Sequence, residues 1–407
     1  MPKPAPIVVV GAGLAGLRAC EGLRARGHDG AIVLVGEEPH LPYDRPPLSK
    51  QFLAGEWSSE RVFLRTAAAV DELGLDLRLG PEHRAVGLDL DNRELVSTGG
   101  EQIGFSGLVL ATGAEPRRLA GVSELPEAHV LRTIDDAVVL RELVSRPGVR
   151  LLLVGAGFIG LEVAATARRA GADVTVVEPL AVPLGRVLGP VAGGACEAVH
   201  REHGVGFFLG TSLSSVDRRP SGGLSCVLGD GTVLYADALL VGIGAVPAVG
   251  WLEGSGLPAG PDGVRCAASL VVAPGIVAAG DLTRWPLAAG GSIRVEHRTN
   301  AAEQGDHAAV SLLADLSGAR PEPFVTVPYV WSDQYDLKIQ VLGVPQPDDE
   351  VVVVDGSVEE RRFLALYGRE GRLSAAVGFG RPRLLMRFRP LLAQGVGLAE
   401  ATALQLG

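Results

Sequence analysis

Two glycine-rich turns carry the residues whose types and spacing could do chemistry. Gly11-Ala12-Gly13-Leu14-Ala15-Gly16 follows the apolar run Ile7 to Val10, and Gly155-Ala156-Gly157-Phe158-Ile159-Gly160 follows Leu151 to Val154. Each turn opens a helical pattern, Leu17 to Arg26 in the first copy and a run to about Ala170 in the second. A second apolar strand then ends in an acid, Glu37 after Ile32 to Val35 and Glu178 after Val174 to Val177. A lone glycine turn is weak evidence, but a strand, turn, helix and acid in the same order twice is an internal repeat.

The physical demand behind that pattern is a pyrophosphate. It must lie against backbone N–H groups at a helix N-terminus, where orphan donors and the positive end of the helix dipole stabilise its charge. Side chains would obstruct the approach. Gly11 and Gly155 suit the tight turn, Gly13 and Gly157 the close approach of phosphate, and Gly16 and Gly160 the packing of helix on strand. Glu37 and Glu178, about 20 residues on, can accept from ribose hydroxyls. Two dinucleotides are expected. A carboxylate at Glu178 repels a 2′-phosphate, and Pro179 and Leu180 supply no positive charge, which favours NADH over NADPH. Arg186 lies near enough in sequence to weigh against this.

The elements that must position these turns are legible from length and patterning. A chain of 407 residues divides into two or three domains. Val109 to Ala111 reads as a strand ending in Thr112-Gly113, Ala238 to Gly244 as another, and Ile276 to Ala279 as a third ending in Gly280-Asp281. From about Phe324 the pattern changes to short β-type runs, Val351 to Val354, Phe363 to Tyr367 and Ser374 to Gly378, then a helical tail rich in Leu and Ala. The expected fold is α/β, with two Rossmann-like dinucleotide-binding domains and a small C-terminal α+β domain, a glutathione-reductase-like architecture. Residues 1–113 and 245–322 form the first domain, 114–244 the second and 323–407 the third.

Composition excludes several classes. With 47% hydrophobic and 21% charged residues the chain is globular, and a net charge of −10 leaves no electrostatic footprint for nucleic acid. Met1 to Pro6 leads straight into an apolar strand without the features of a secretory signal, so a cytoplasmic location is expected. The most apolar long window, Val233 to Leu252, holds Asp237, Pro247 and several glycines, and reads as a buried strand and loop instead of a membrane span. Cys20, Cys196, Cys226 and Cys266 are widely separated, with no C-x-x-C or C-x-x-x-x-C pair, so neither a redox dithiol nor a metal or iron–sulfur site is signalled.

Together the motifs resemble those of the NADH-dependent ferredoxin reductases, the class of putidaredoxin reductase and of the reductases of bacterial aromatic dioxygenases. The resemblance runs through essentially the whole chain. It rests on the two glycine turns, Pro42-Tyr43-Asp44-Arg45-Pro46-Pro47-Leu48-Ser49-Lys50, Ala111-Thr112-Gly113, Gly280-Asp281 and Trp331-Ser332-Asp333-Gln334-Tyr335. It implies that Gly11, Gly13, Leu14, Ala15, Gly16, Glu37, Arg45, Lys50, Ala111, Thr112, Gly113, Asp281, Glu296 and Trp331 hold FAD. It likewise implies that Gly155, Gly157, Phe158, Ile159, Gly160 and Glu178 hold NADH, and that Lys50 pairs with Glu162 close to flavin N5 and the nicotinamide.

Physics gives an independent reason for Arg45 and Lys50, since fixed cations stabilise the negative charge of a reduced flavin. Of the 37 lysines and arginines only Lys3, Lys50 and Lys338 are lysines, and two of these three fall inside or beside family motifs. Where arginine is otherwise used, a retained lysine points to a compact ammonium. Phe158 matches an aromatic ring that covers the flavin until nicotinamide displaces it, or else is a core aromatic. Trp331 lies toward the acceptor, or packs in the core. Glu296, Asn300 and Gln304 match a further stretch in which His297 departs from the family.

The implied activity is electron transfer from NADH through FAD to a [2Fe-2S] ferredoxin that supplies a cytochrome P450 or a Rieske oxygenase. Hydride transfer needs stacking and orientation more than a protein nucleophile. Dithiol reductases and single-cysteine oxidases of related design are disfavoured, because residues 42–50 contain no cysteine. Two alternatives stay open: a rubredoxin reductase, and an apoptosis-inducing-factor-like flavoprotein in which NADH controls partner binding. Arg381, Arg383, Arg387 and Arg389 form the densest cationic run, which is either a ferredoxin dock near the C-terminal domain or an ordinary solvated basic helix.

Overall fold

The computed structural model describes residues 5–287 and 290–404, so that Lys3 lies outside the described residues. The chain forms two compact units. One comprises Met1–Asp44, Glu60–Glu115 and Ala245–Thr326, and the other Arg45–Ser59, Pro116–Gly244 and Val327–Gly407.

The first unit is built on a six-stranded sheet in the order Val271–Ala273, Ile276–Ala278, Gly107–Leu110, Ile7–Val10, Ile32–Gly36, Leu75–Leu79. Ile7–Val10 pairs in parallel with Ile32–Gly36 on one side and Gly107–Leu110 on the other. All four of its residues are buried, as a continuous β-branched run requires when both faces of a parallel sheet are covered. Side chains alternate between the faces. Ile7 and Val9 pack with Ala19 and Leu23 of the helix Leu14–Ala25 and with Ala308 and Leu312 of the helix Arg298–Leu316. Val8 and Val10 pack with Leu88, Leu95 and Phe105 on the opposite side.

The second unit repeats the plan. Its five-stranded parallel sheet runs Gly206–Leu209, Asp173–Glu178, Arg150–Val154, Ala238–Val241, Ala128–His129. The helix Phe158–Arg169 comes after the second glycine turn, and the helix Gly185–Glu202 leads to the edge strand. A three-stranded antiparallel sheet, Leu213–Arg218, Leu224–Leu228 and Val233–Ala236, packs Leu224, Cys226 and Leu228 against Leu152, Val177 and Leu239.

The same unit contains a five-stranded antiparallel sheet, Tyr329–Gln334, Leu337–Gly343, Arg372–Phe379, Arg362–Arg369, Glu350–Ser357. The expected helical tail is three short helices, Pro382–Met386, Arg389–Gln394 and Leu398–Thr402. Gly395 at φ +64° ends the second of them, and proline near each of the first two starts fixes a new beginning. The fold is therefore α/β with two dinucleotide-type sheets and a β-rich C-terminal region. No helix among the described residues is long and apolar enough to cross a membrane.

Candidate functional site

The two glycine turns have the same steric construction. Gly11 and Gly155 adopt φ +116° and +100°, and a Cβ on them would stand 2.1 Å from the Ala111 carbonyl oxygen and 2.4 Å from that of Gly242. A Cβ on Gly16 or Gly160 would collide with the carbonyl of Gly11 or Gly155, at 1.9 and 2.8 Å. Gly13 and Gly157 differ from both pairs, because a Cβ there meets nothing within 4 Å. Each is the N-cap of its helix and supplies no side-chain cap. The helix N-termini thus face open space with their N–H groups uncapped, a cradle for an anion. Leu14 and Ala15 form the first turn of one helix, and Phe158 and Ile159 that of the other.

The acids after the turns sit differently. Glu178 folds back on its own turn, with Oε2 accepting from the Ala156 N–H at 2.8 Å and Oε1 from the Leu180 N–H at 3.0 Å. Just beyond it, Pro179, Leu209, Gly210, Thr211 and Ser212 line an open pocket. Glu37 is 53% exposed and has Arg84 at 3.4 Å.

Elsewhere in the first unit, Ala111 donates its N–H to Val10 and the Thr112 hydroxyl donates to the Ala248 carbonyl at 2.7 Å. Gly113, at φ +74°, accepts from the Ala248 N–H. The Gly280 N–H donates to Gln304 Oε1 at 2.8 Å, which fixes the turn before Asp281. Arg294 donates to the Asp281 carbonyl and pairs with Glu296 at 2.7 Å. Thr283 Oγ1, His297 Nδ1, Asn300 Oδ1 and Gln304 Nε2 are buried polar atoms left without a protein partner. Burial pushes His297 down to about 4, against the opposing pull of Asp281. Buried polar atoms without partners are costly, and a cluster of them beside an uncapped helix fits a polar ligand.

The second unit holds the charged centre. Arg45 caps the short helical turn Pro46–Ser49 and donates to the Arg132 carbonyl. At the other end of that turn Lys50 Nζ meets Glu162 Oε2 at 2.7 Å, with side chains only 12% and 6% exposed. Ser49 Oγ donates to the same oxygen at 2.5 Å, and Ser332 Oγ donates to Oε1 at 2.7 Å. Thr166, one turn after Glu162, donates its hydroxyl to the Ser49 carbonyl at 2.8 Å and ties the segment to the helix. Glu162 lies one turn beyond Phe158, which is half-buried at the helix start, where Ile159 is 50% exposed. Trp331 is half-buried and stacks on Tyr329, ring centroids 6.0 Å apart.

Sequence reasoning brought Lys50 and Glu162 together but missed Ser49, Thr166, Ser332, Gln334 and His200 as participants. The alternation Trp331-Ser332-Asp333-Gln334 was the available signal, since a strand puts Ser332 and Gln334 on one face and both are buried. Of the cationic run, Arg381 is committed to Asp355 at 2.5 Å, whereas Arg383 and Arg387 are exposed. The four cysteines are free thiols, and burial pushes Cys20 up to about 12.

The chain is similar to known proteins along most of its length. Residues 5–305 match the pyridine nucleotide-disulphide oxidoreductase family, and residues 329–405 match the reductase C-terminal family. Rhodocoxin reductase of Rhodococcus erythropolis is 36% identical, covering 98% of this chain and 91% of its own. The ferredoxin–NAD(+) reductase component of the anthranilate 1,2-dioxygenase system of Burkholderia cepacia is 38% identical, covering 96% and 94%. The crystal structure of the covalent putidaredoxin reductase–putidaredoxin complex aligns with a TM-score of 0.91 at 30% identity, covering 99% of this chain and 96% of that one.

Proposed function

The chain belongs to the pyridine nucleotide-disulphide oxidoreductase family, and from that premise we propose that it is a ferredoxin–NAD(+) reductase whose electrons pass from NADH through FAD to a [2Fe-2S] ferredoxin. The ferredoxin in turn supplies a cytochrome P450 or a Rieske oxygenase. The observation that carries this reading is the Lys50–Glu162 pair, whose lysine ends the cysteine-free segment 42–50 where a dithiol enzyme of the same design needs cysteine.

FAD, when bound, accepts a hydride and returns electrons singly, which matches a two-electron donor to a one-electron iron–sulfur acceptor. The residues supply binding and orientation. The first glycine turn with Leu14 and Ala15, Glu37, Arg45, Lys50, Ala111, Thr112, Gly113, Asp281, Glu296 and Trp331 hold FAD. The uncapped helix and the partnerless Thr283, Asn300 and Gln304 atoms support that assignment. Gly155, Gly157, Phe158, Ile159 and Gly160 hold the NADH pyrophosphate, Glu178 its adenosine ribose, and the pocket beside Pro179 its adenine end. Lys50 and Glu162 place a buried ammonium, with its charge balanced, at the reacting rings, and Phe158 covers them.

We assign residues 1–113 and 245–322 to FAD, 114–244 to NADH and 323–407 to a C-terminal domain near which the ferredoxin docks. The protein works in the cytoplasm. The test is NADH-dependent cytochrome c reduction by the yellow protein with and without a [2Fe-2S] ferredoxin, repeated with NADPH. Strong ferredoxin dependence with preference for NADH is expected. Equal rates with and without ferredoxin would overturn the assignment.

A further inference from the structure

Glu162 receives three donors, and the third is itself held in place. Lys50 and Ser49 donate to Oε2 and Ser332 to Oε1. Ser332 has one hydroxyl proton, and giving it to the carboxylate leaves its oxygen to accept from Gln334 Nε2 at 3.1 Å. The amide so oriented turns Oε1 toward His200 Nε2 at 2.9 Å. A carbonyl oxygen is met only by a donor, so His200 must be the Nε2–H tautomer. Its Nδ1 is buried and has no partner in the protein.

The polarity of every link is thus fixed from the carboxylate outward. The far end is equally constrained. His200 is fully buried, with Tyr335 and Phe207 edge-on to its ring. Its other titratable neighbour is His203, which stacks on Tyr335 at 3.6 Å, and Arg169 lies over the same tyrosine at 5.5 Å. Burial pushes His200 down to about 4, so the neutral ring needed for the chain is the one present near neutrality. Such a buried chain carries a cost, here the unmet Nδ1 of His200, that an apolar side chain in the same space would avoid.

We propose that Ser332, Gln334 and His200 are positioning residues, a directed hydrogen-bond chain that fixes the Glu162 carboxylate and through it the Lys50 ammonium. The proposal rests on the placement of Lys50 and Glu162 at the reacting rings. None of the three is asked to touch substrate or cofactor. Ser332 and Gln334 lie on one face of a strand whose other face carries Trp331 and Asp333, so the C-terminal sheet takes part in setting the charged pair.

Two measurements on the full-length, FAD-loaded protein test this. Nitrogen-15 NMR of the histidine rings should show His200 as the Nε2–H tautomer from about pH 6 to about pH 8. An Nδ1–H tautomer or an imidazolium there overturns the chain. That result is read without donor or acceptor, so it stands apart from any failure of the ferredoxin reductase reading.

In rapid mixing with NADH, Gln334→Glu, isosteric but without the amide donor, should slow flavin reduction about tenfold while leaving NADH affinity unchanged. His200→Phe should act in the same direction. His200→Gln, whose amide nitrogen reaches the same place, should restore most of the rate. Unchanged reduction in Gln334→Glu, or an equal loss of NADH affinity, would refute positioning.

Discussion

The two glycine turns share a backbone and differ in the acids that complete them. Gly11 and Gly155 are both left-handed, at φ +116° and +100°, and Gly13 and Gly157 both face open space. The acids diverge. Both oxygens of Glu178 accept backbone N–H groups, those of Ala156 and Leu180, at 2.8 and 3.0 Å. Glu37 is exposed and only loosely tethered to Arg84 at 3.4 Å. Equal spacing along the chain therefore does not mean equal commitment of the side chain. The better-organised acid belongs to the turn assigned to the nucleotide that binds and leaves in each turnover, where ordering costs recur.

Substitutions at the glycines test the comparison most severely. Gly11→Val and Gly155→Val each combine a left-handed backbone with a collision on a carbonyl, and should cost about 4 kcal/mol or more in thermal or denaturant unfolding. Gly13→Val and Gly157→Val fill open cradles and should fold. Gly13→Val should then lose FAD, read from the flavin absorbance of the purified protein. Gly157→Val should keep FAD and lose at least about tenfold in NADH affinity. Retention of both ligands by both variants would break the assignment of one dinucleotide to each turn.

Besides His129, which burial also lowers, the rings of His297 in the first unit and His200 in the second are pushed down by burial from 6.5 to about 4. The unfolded chain takes up these protons as pH falls through 6.5, the folded chain only near 4, so the unfolded state binds more protons between those values. Stability is full above that window and is lost as pH falls through it, by about 3 kcal/mol for each group at most. Unfolding measured against pH should show the slope, and His297→Leu and His200→Gln should each reduce it. A variant that leaves the slope unchanged would show that its histidine is not held neutral by the fold.

The smallest effect concerns the acids themselves. Glu178→Ala should cost about 1–3 kcal/mol by leaving backbone donors unmet, and should weaken NADH binding. Glu37→Ala should stay within about 0.5 kcal/mol and leave NADH binding unchanged. Equal costs would erase the distinction between the two turns.

The glycine turns, the central parallel strands of both dinucleotide-type sheets and the Lys50–Glu162 pairing were legible in the sequence for different reasons. A turn with steric demands every few residues leaves a local signature, whereas the charged pair was reached only through family resemblance. Ser332 and His200 were not legible as site residues. Ser332 meets Glu162 across 170 positions and His200 meets Gln334 across 134, and no periodicity records contacts at that range. The strand Tyr329–Gln334 went unread because its alternation mixes Trp331 and Asp333 on one face with Ser332 and Gln334 on the other. The C-terminal tail shows in the sequence only as a run rich in Leu and Ala, although Pro382, Pro390 and Gly395 divide it into three helices.

The stoichiometry of electron transfer decides whether this chain splits a hydride into single electrons for an iron–sulfur protein. The most direct test is an anaerobic titration of the FAD-loaded protein and excess oxidised [2Fe-2S] ferredoxin with limiting NADH, monitoring both chromophores. Two ferredoxin molecules should be reduced for each NADH consumed. Flavin reduction by NADH with no electrons appearing on the ferredoxin would contradict this.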